Sequence, residues 1–132
     1  MSISNLQETL LMYAKEKSRL NLQFNNIQFN IAAASRKTML LQQQFNNKMT
    51  EYYYMYKGDA IFNDEYEELC QELEKEYEFN LKNIDSWEEQ LQLDKENIEL
   101  KLNEISANEN SYRSLLKNNI KSDFTYGGAQ QG

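Results

Sequence analysis

The sequence predicts an all-α fold, a long antiparallel two-helix hairpin of coiled-coil type, and three observations lead there. Proline is absent, and glycine occurs only at Gly58, Gly127, Gly128 and Gly132, so almost nothing forces a helix to stop. Apolar residues recur at heptad spacing from Ile3 to Met55. A single turn-like dipeptide, Gly58-Asp59, divides two segments of nearly equal length.

The first helix is expected over 3–57. Put heptad position a at Ile3 and position d at Leu6, and carry both forward to Tyr52 and Met55. Thirteen of the sixteen positions are apolar or aromatic, the exceptions being Lys17, Thr38 and Lys48. A register held this long predicts one helix with a continuous seam. Ser4 and Gln7 have the spacing of a capping box at its start.

The turn is expected over 58–63. Gly58 suits the left-handed residue that ends a helix, and Lys57 before it suits the negative end of the helix dipole. Asn63 or Asp64 would cap the second helix, with Glu65, Glu67 and Glu68 in the favourable first turn.

The second helix is expected over 64–122. Its stripe runs through Tyr66, Leu69, Leu73, Tyr77, Leu81 and Ile84, then continues by threes and fours to Ile120. The stripe has gaps at Asp94-Lys95 and Asn108-Glu109. Ser106 and Glu109 have capping-box spacing, which leaves open a break near 106–110. Residues 1–124 thus form the hairpin. Residues 125–132, TYGGAQQG, are small and polar and are expected to be a flexible tail.

A short connection favours antiparallel neighbours, and a loop centred near residue 60 makes facing residue numbers add to about 121. The expected hairpin core is then Phe24, Ile31, Ala34, Leu41 and Phe45 against Trp87, Leu91, Ile98 and Leu102. Trp87 falls opposite Ala34, the large-against-small match that interdigitated packing requires. At the ends of the seam, Leu10 falls opposite Tyr112, and Met55 opposite Tyr66. Lys48 falls near Glu72 and Glu74, and Lys17 near Glu104.

Composition narrows the function classes. Histidine is absent and Cys70 is the one cysteine. There is no His-based general base, no disulfide framework and no Cys/His metal set. No phosphate loop, nucleophile elbow or calcium loop is present. The formal charge is −7, which argues against nucleic acid as a partner. That charge is unevenly divided, +4 over residues 1–57 and −11 over residues 58–132, so the two helices suit each other. No apolar run is long enough for a membrane span, and the N-terminal segment lacks the pattern of a signal peptide. The expected compartment is the cytoplasm, with signal-less export as the alternative. No catalytic residue, metal, cofactor or small-molecule substrate is expected.

Two groups of residues point to protein contacts. Tyr52-Tyr53-Tyr54-Met55-Tyr56 surrounds a whole helical turn beside the loop. Tyr52 and Met55 are expected to pack at the turn, against Ile61, Phe62 and Tyr66. Tyr53, Tyr54 and Tyr56 are candidates for partner contact, since tyrosine is enriched at interfaces. Phe29, Met39, Leu40, Phe79, Leu93 and Leu100 lie off the seam, and their exposure predicts self-association or docking onto a partner. Glu65, Glu68, Glu72 and Glu76 form an acidic ridge, expected to be a solvated face. Cys70 reads as a small half-buried hydrophobe.

The expected function is therefore that of a non-enzymatic structural or adaptor coiled-coil protein, a homo-oligomer or a component of a larger assembly. The hairpin outline resembles small secreted hairpin proteins with a Trp-x-Gly turn, and coiled-coil hairpins among flagellar and type III export chaperones. This resemblance implies a small exported protein, a secretion-apparatus component or a chaperone as the alternative. Gly58 stands at the turn here without the Trp-x-Gly motif. Trp87 lies inside the second helix, and no Tyr-x-x-x-Asp/Glu follows it.

Overall fold

The structure, a computed structural model, describes residues 2–58 and 63–131, with side chains to residue 124. Two helices, α1 (Ile3–Met55) and α2 (Asp64–Gln131), pack against each other as an antiparallel hairpin. No strand occurs among the described residues.

Each helix end has a local cause. Ser2 caps α1: its Oγ accepts a hydrogen bond from Asn5 N at 3.1 Å, and its carbonyl accepts the first helical bond from Leu6 N at 3.0 Å. The expected Ser4–Gln7 box is thereby displaced, because Ser4 already lies inside the first turn. At the other end α1 stops at Met55, two residues before the expected end, and Lys57 N donates to Tyr54 O in a tighter turn. Gly58 follows at φ +96°, the left-handed conformation anticipated for it. Asn63 caps α2, its Oδ1 accepting from Glu65 N at 3.0 Å and from Tyr66 N at 3.3 Å. The expected contacts of Ile61 and Phe62 lie outside the described residues.

α2 runs on through two places where the sequence left room for it to stop. The helix continues unbroken through 106–110, and Ser106 caps nothing. No proline or glycine interrupts that stretch, and Glu109 is turned into the seam rather than back onto a helix end. The helical backbone also extends to Gln131 instead of ending at 122, through most of the expected tail. Glycine lowers helix stability by about 1 kcal/mol per residue but, unlike proline, presents no steric block.

Packing divides into two compact units, Met1–Asn26 with Asp94–Gly132, and Ile27–Leu93. In the first, Leu6 and Leu20 are fully enclosed and Ile98 is buried. Tyr13 meets Tyr112 edge-on with ring centroids 5.5 Å apart, one helical step along from the Leu10 pairing expected. Lys95 sits over the Phe24 ring at 5.8 Å. Lys17 reaches Glu109 at 3.6 Å rather than Glu104. Here the observed register departs from expectation by up to about one turn.

In the second unit, Ala34 and Leu91 are buried. Phe45 and Tyr77 stack with centroids 4.5 Å apart and planes at 28°. Tyr56, not Met55, meets Tyr66, at 5.8 Å. These two pairs keep the expected register to within one residue. Trp87 is half-buried, with the Lys37 ammonium 4.9 Å from its ring centroid. Of the expected core, Ala34, Leu91 and Ile98 are buried, whereas Phe24, Ile31, Leu41, Phe45, Trp87 and Leu102 are half-buried.

The a positions of α1 face inward throughout, Phe45 and Tyr52 included, but after Phe45 each d position gives way to the residue that follows it. Met49 and Tyr56 turn inward where Lys48 and Met55 were expected. A straight helix has 3.6 residues per turn and drifts from a 3.5-residue repeat, so a four-residue step restores contact. Met55 and Lys48 are consequently exposed.

Candidate interaction surface

The residues predicted to lie off the seam do lie there. Phe29 is 66% exposed and Phe79 is 64% exposed, with Met39, Leu40, Leu93 and Leu100 at half or more. The Arg36 guanidinium, two turns along α1, lies 5.8 Å from the Phe29 ring centroid and leaves most of that ring open. Tyr53 and Tyr54 are exposed and meet each other edge-on at 5.6 Å. Tyr56 departs from the group: it is half-buried against Tyr66, so it belongs to the packing at the turn. Its hydroxyl is pushed above the usual tyrosine range by desolvation, then by the Glu65 carboxylate beside it.

Sequence reasoning missed two features. The first is Glu109, a buried carboxylate with its side chain 8% exposed. Its Oε1 pairs with Arg113 at 2.6 Å, one turn along α2. Its Oε2 accepts no hydrogen bond, because the Lys17 ammonium stands at 3.6 Å, beyond hydrogen-bonding range. The signal was present as a polar gap in the stripe at seam spacing between Ile105 and Tyr112.

The second is a groove in the 27–93 unit, about 360 Å³ in volume. Its floor is Leu41 and Phe45 from α1 with Leu73 and Tyr77 from α2, and the stacked Phe45–Tyr77 pair sets its depth. Polar groups rim it: Gln44 and Lys48 on the α1 wall, Glu76 and Asn80 on the α2 wall. An adjoining hollow shares Leu41, Gln44 and Asn80 and extends to Lys37, Leu40 and Asn83. An apolar floor between amide-rich walls suits a flat, extended contact better than an enclosed ligand.

The acidic ridge of Glu65, Glu68, Glu72 and Glu76 is exposed along its whole length. Among the described residues, no three acidic or cysteine side chains gather as a metal-binding group. Cys70 is half-buried, and its thiol one turn along α2, together with partial burial, holds the Tyr66 hydroxyl above the usual range. No helix among the described residues is long and apolar enough to cross a membrane. Set against known protein families, characterised proteins and solved structures, the chain matches none.

Proposed function

We propose that this chain is a non-enzymatic structural or adaptor protein that acts by helix-face association, as a coiled-coil component of a larger assembly or of its own oligomer. One observation carries the reading. Among the described residues, five hydrophobic side chains are buried while fifteen large ones stay exposed, Phe29 and Phe79 among them. Isolated surface leucines are ordinary, but exposed apolar side chains outnumbering buried ones leave a thin core and much surface for a partner to cover. The helices carry many Asn residues of modest helix propensity, so their stability has to come largely from packed faces.

Two measurements test this reading together. Light scattering on the purified chain, and size fractionation of native extract probed for it, are expected to give masses above 15.7 kDa in at least one setting. A 15.7 kDa species in both, at every concentration tried, overturns the reading.

A further inference from the structure

We infer that the groove of the 27–93 unit is the docking face for a second copy of this chain, with the twofold axis running along the groove. The inference rests on the helix-face reading above and names its partner.

Surface area gives the first argument. A folded monomeric chain of this mass exposes about 7,300 Å². This one exposes 10150 Å². The excess, about 2,900 Å² on that scaling, is shared by both units, and a standard interface asks roughly 800 Å² of each partner.

Charge selects the partner and the axis. The α1 wall carries Lys37 and Lys48, and the α2 wall carries Glu76. Lys48 and Glu76 line the same groove, yet neither has an ion-pair partner among the described residues. A twofold interface must be complementary to itself. A twofold axis across the groove would stack α1 on α1 and set lysine against lysine. An axis along the groove instead lays α1 of one copy over α2 of the other, antiparallel and at the same level. Lys48 of each copy then stands over Glu76 of its mate, twice by symmetry. The amides of Gln44 and Asn80 face one another in the same arrangement, able to donate and accept. Leu40 in the groove wall is 54% exposed and would be covered. Phe79 would be covered with it, since it sits three residues from Glu76 and four from Asn83 on one helix surface. The product is a four-helix arrangement with both turns at one end.

The test is a charge exchange read by sedimentation equilibrium, with circular dichroism as the check on folding. Both side chains are exposed in the single chain, so exchanging them leaves the hairpin folded. The unmodified chain is expected at twice 15.7 kDa. Lys48→Glu alone and Glu76→Lys alone each place like charges together twice, weakening self-association about tenfold. An equimolar mixture of the two variants restores both opposite-charge pairs and brings back a heterodimer of unmodified affinity. Coupling within one chain cannot produce that recovery on mixing. A dimer insensitive to both exchanges, or one weakened without recovery on mixing, overturns the groove assignment and leaves helix-face association standing. A purified monomer that sits in a larger assembly in native extract overturns self-pairing alone. A monomer in both settings overturns the broader reading as well.

Discussion

Replacing Glu109 with leucine is expected to stabilise the chain, although Glu109 forms two ion pairs. Its side chain is 8% exposed, whereas Lys17 and Arg113 are 39% and 65% exposed. Removing the carboxylate therefore strands no fully buried charge, because Arg113 stays mostly exposed and Lys17 keeps over a third of its exposure. The carboxylate itself has lost hydration and recovers one close contact, from Arg113, while Oε2 is without a hydrogen bond. Replacing a poorly compensated buried ion by an apolar side chain is often neutral or stabilising by about 1–4 kcal/mol. Burying a leucine contributes about 1.5–3 kcal/mol. Loss of the attraction to Lys17 and Arg113 offsets part of this. The net expectation for Glu109→Leu is a gain of about 1–2 kcal/mol.

Urea unfolding followed by circular dichroism, at fixed protein concentration, reads this as a midpoint raised by about 0.5–1 M with unchanged slope. The complementary double variant, Lys17→Met with Arg113→Met, keeps the buried carboxylate and removes both partners. It is expected to lose about 3 kcal/mol. A lowered midpoint for Glu109→Leu, at the same slope, would refute the reasoning and make Glu109 a net stabiliser. The same substitution also tests specificity. With leucine there, Ile98, Leu102, Ile105, Tyr112 and Leu116 join an unbroken heptad seam that slides more easily by one repeat. Broadened amide resonances across 94–120 are the expected sign.

Four further outcomes follow from the packing, the caps and the phenols. Leu20→Ala, at a site 1% exposed, should lose about 3 kcal/mol in the same urea assay, while exposed Met39→Ala stays within about 0.5 kcal/mol. Gly58→Ala meets open space but forces a Cβ onto φ +96°, so a loss of about 1 kcal/mol is expected without any change in the seam. Asn63→Ala should lose about 1 kcal/mol by removing the cap of α2, and Asn63→Asp should lose almost none. The folded state raises the Tyr56 and Tyr66 hydroxyls above their ordinary value. The unfolded chain therefore releases these protons first, and stability falls as pH rises from about 10 through the raised values. Tyr56→Phe should flatten that fall, and alkaline unfolding curves with and without the substitution check it.

How far the fold was legible in the sequence depends on which force sets each feature. Gly58 and Asn63 were legible because backbone geometry and orphan amide groups admit few residue types there. The α1 seam to Phe45 was legible because apolar burial writes itself as period. The one-residue shift of the d positions after Phe45 was not, since Met55 and Tyr56 suit a seam equally. Burial then decides between rotations that composition leaves equal, and it turns Met49 and Tyr56 inward.

Glu109 shows the opposite ambiguity. A polar residue at seam spacing reads equally as a cap that ends a helix or as an ion carried inside one. The choice depends on whether cations on neighbouring turns and on the facing helix can reach it, and Arg113 and Lys17 both do. The facing contribution depends on register, which the stacked Phe45–Tyr77 pair keeps near expectation in its own unit. In the other unit, Lys17 passes over Glu104 to reach Glu109, and Tyr13 meets Tyr112. The same dependence hid the groove. Its floor residues Leu41, Phe45, Leu73 and Tyr77 were all visible as seam positions, but the opening beside them exists only once two helices are set at a particular rotation. Periodicity along a chain identifies which residues face inward; it does not say where two inward faces fail to close.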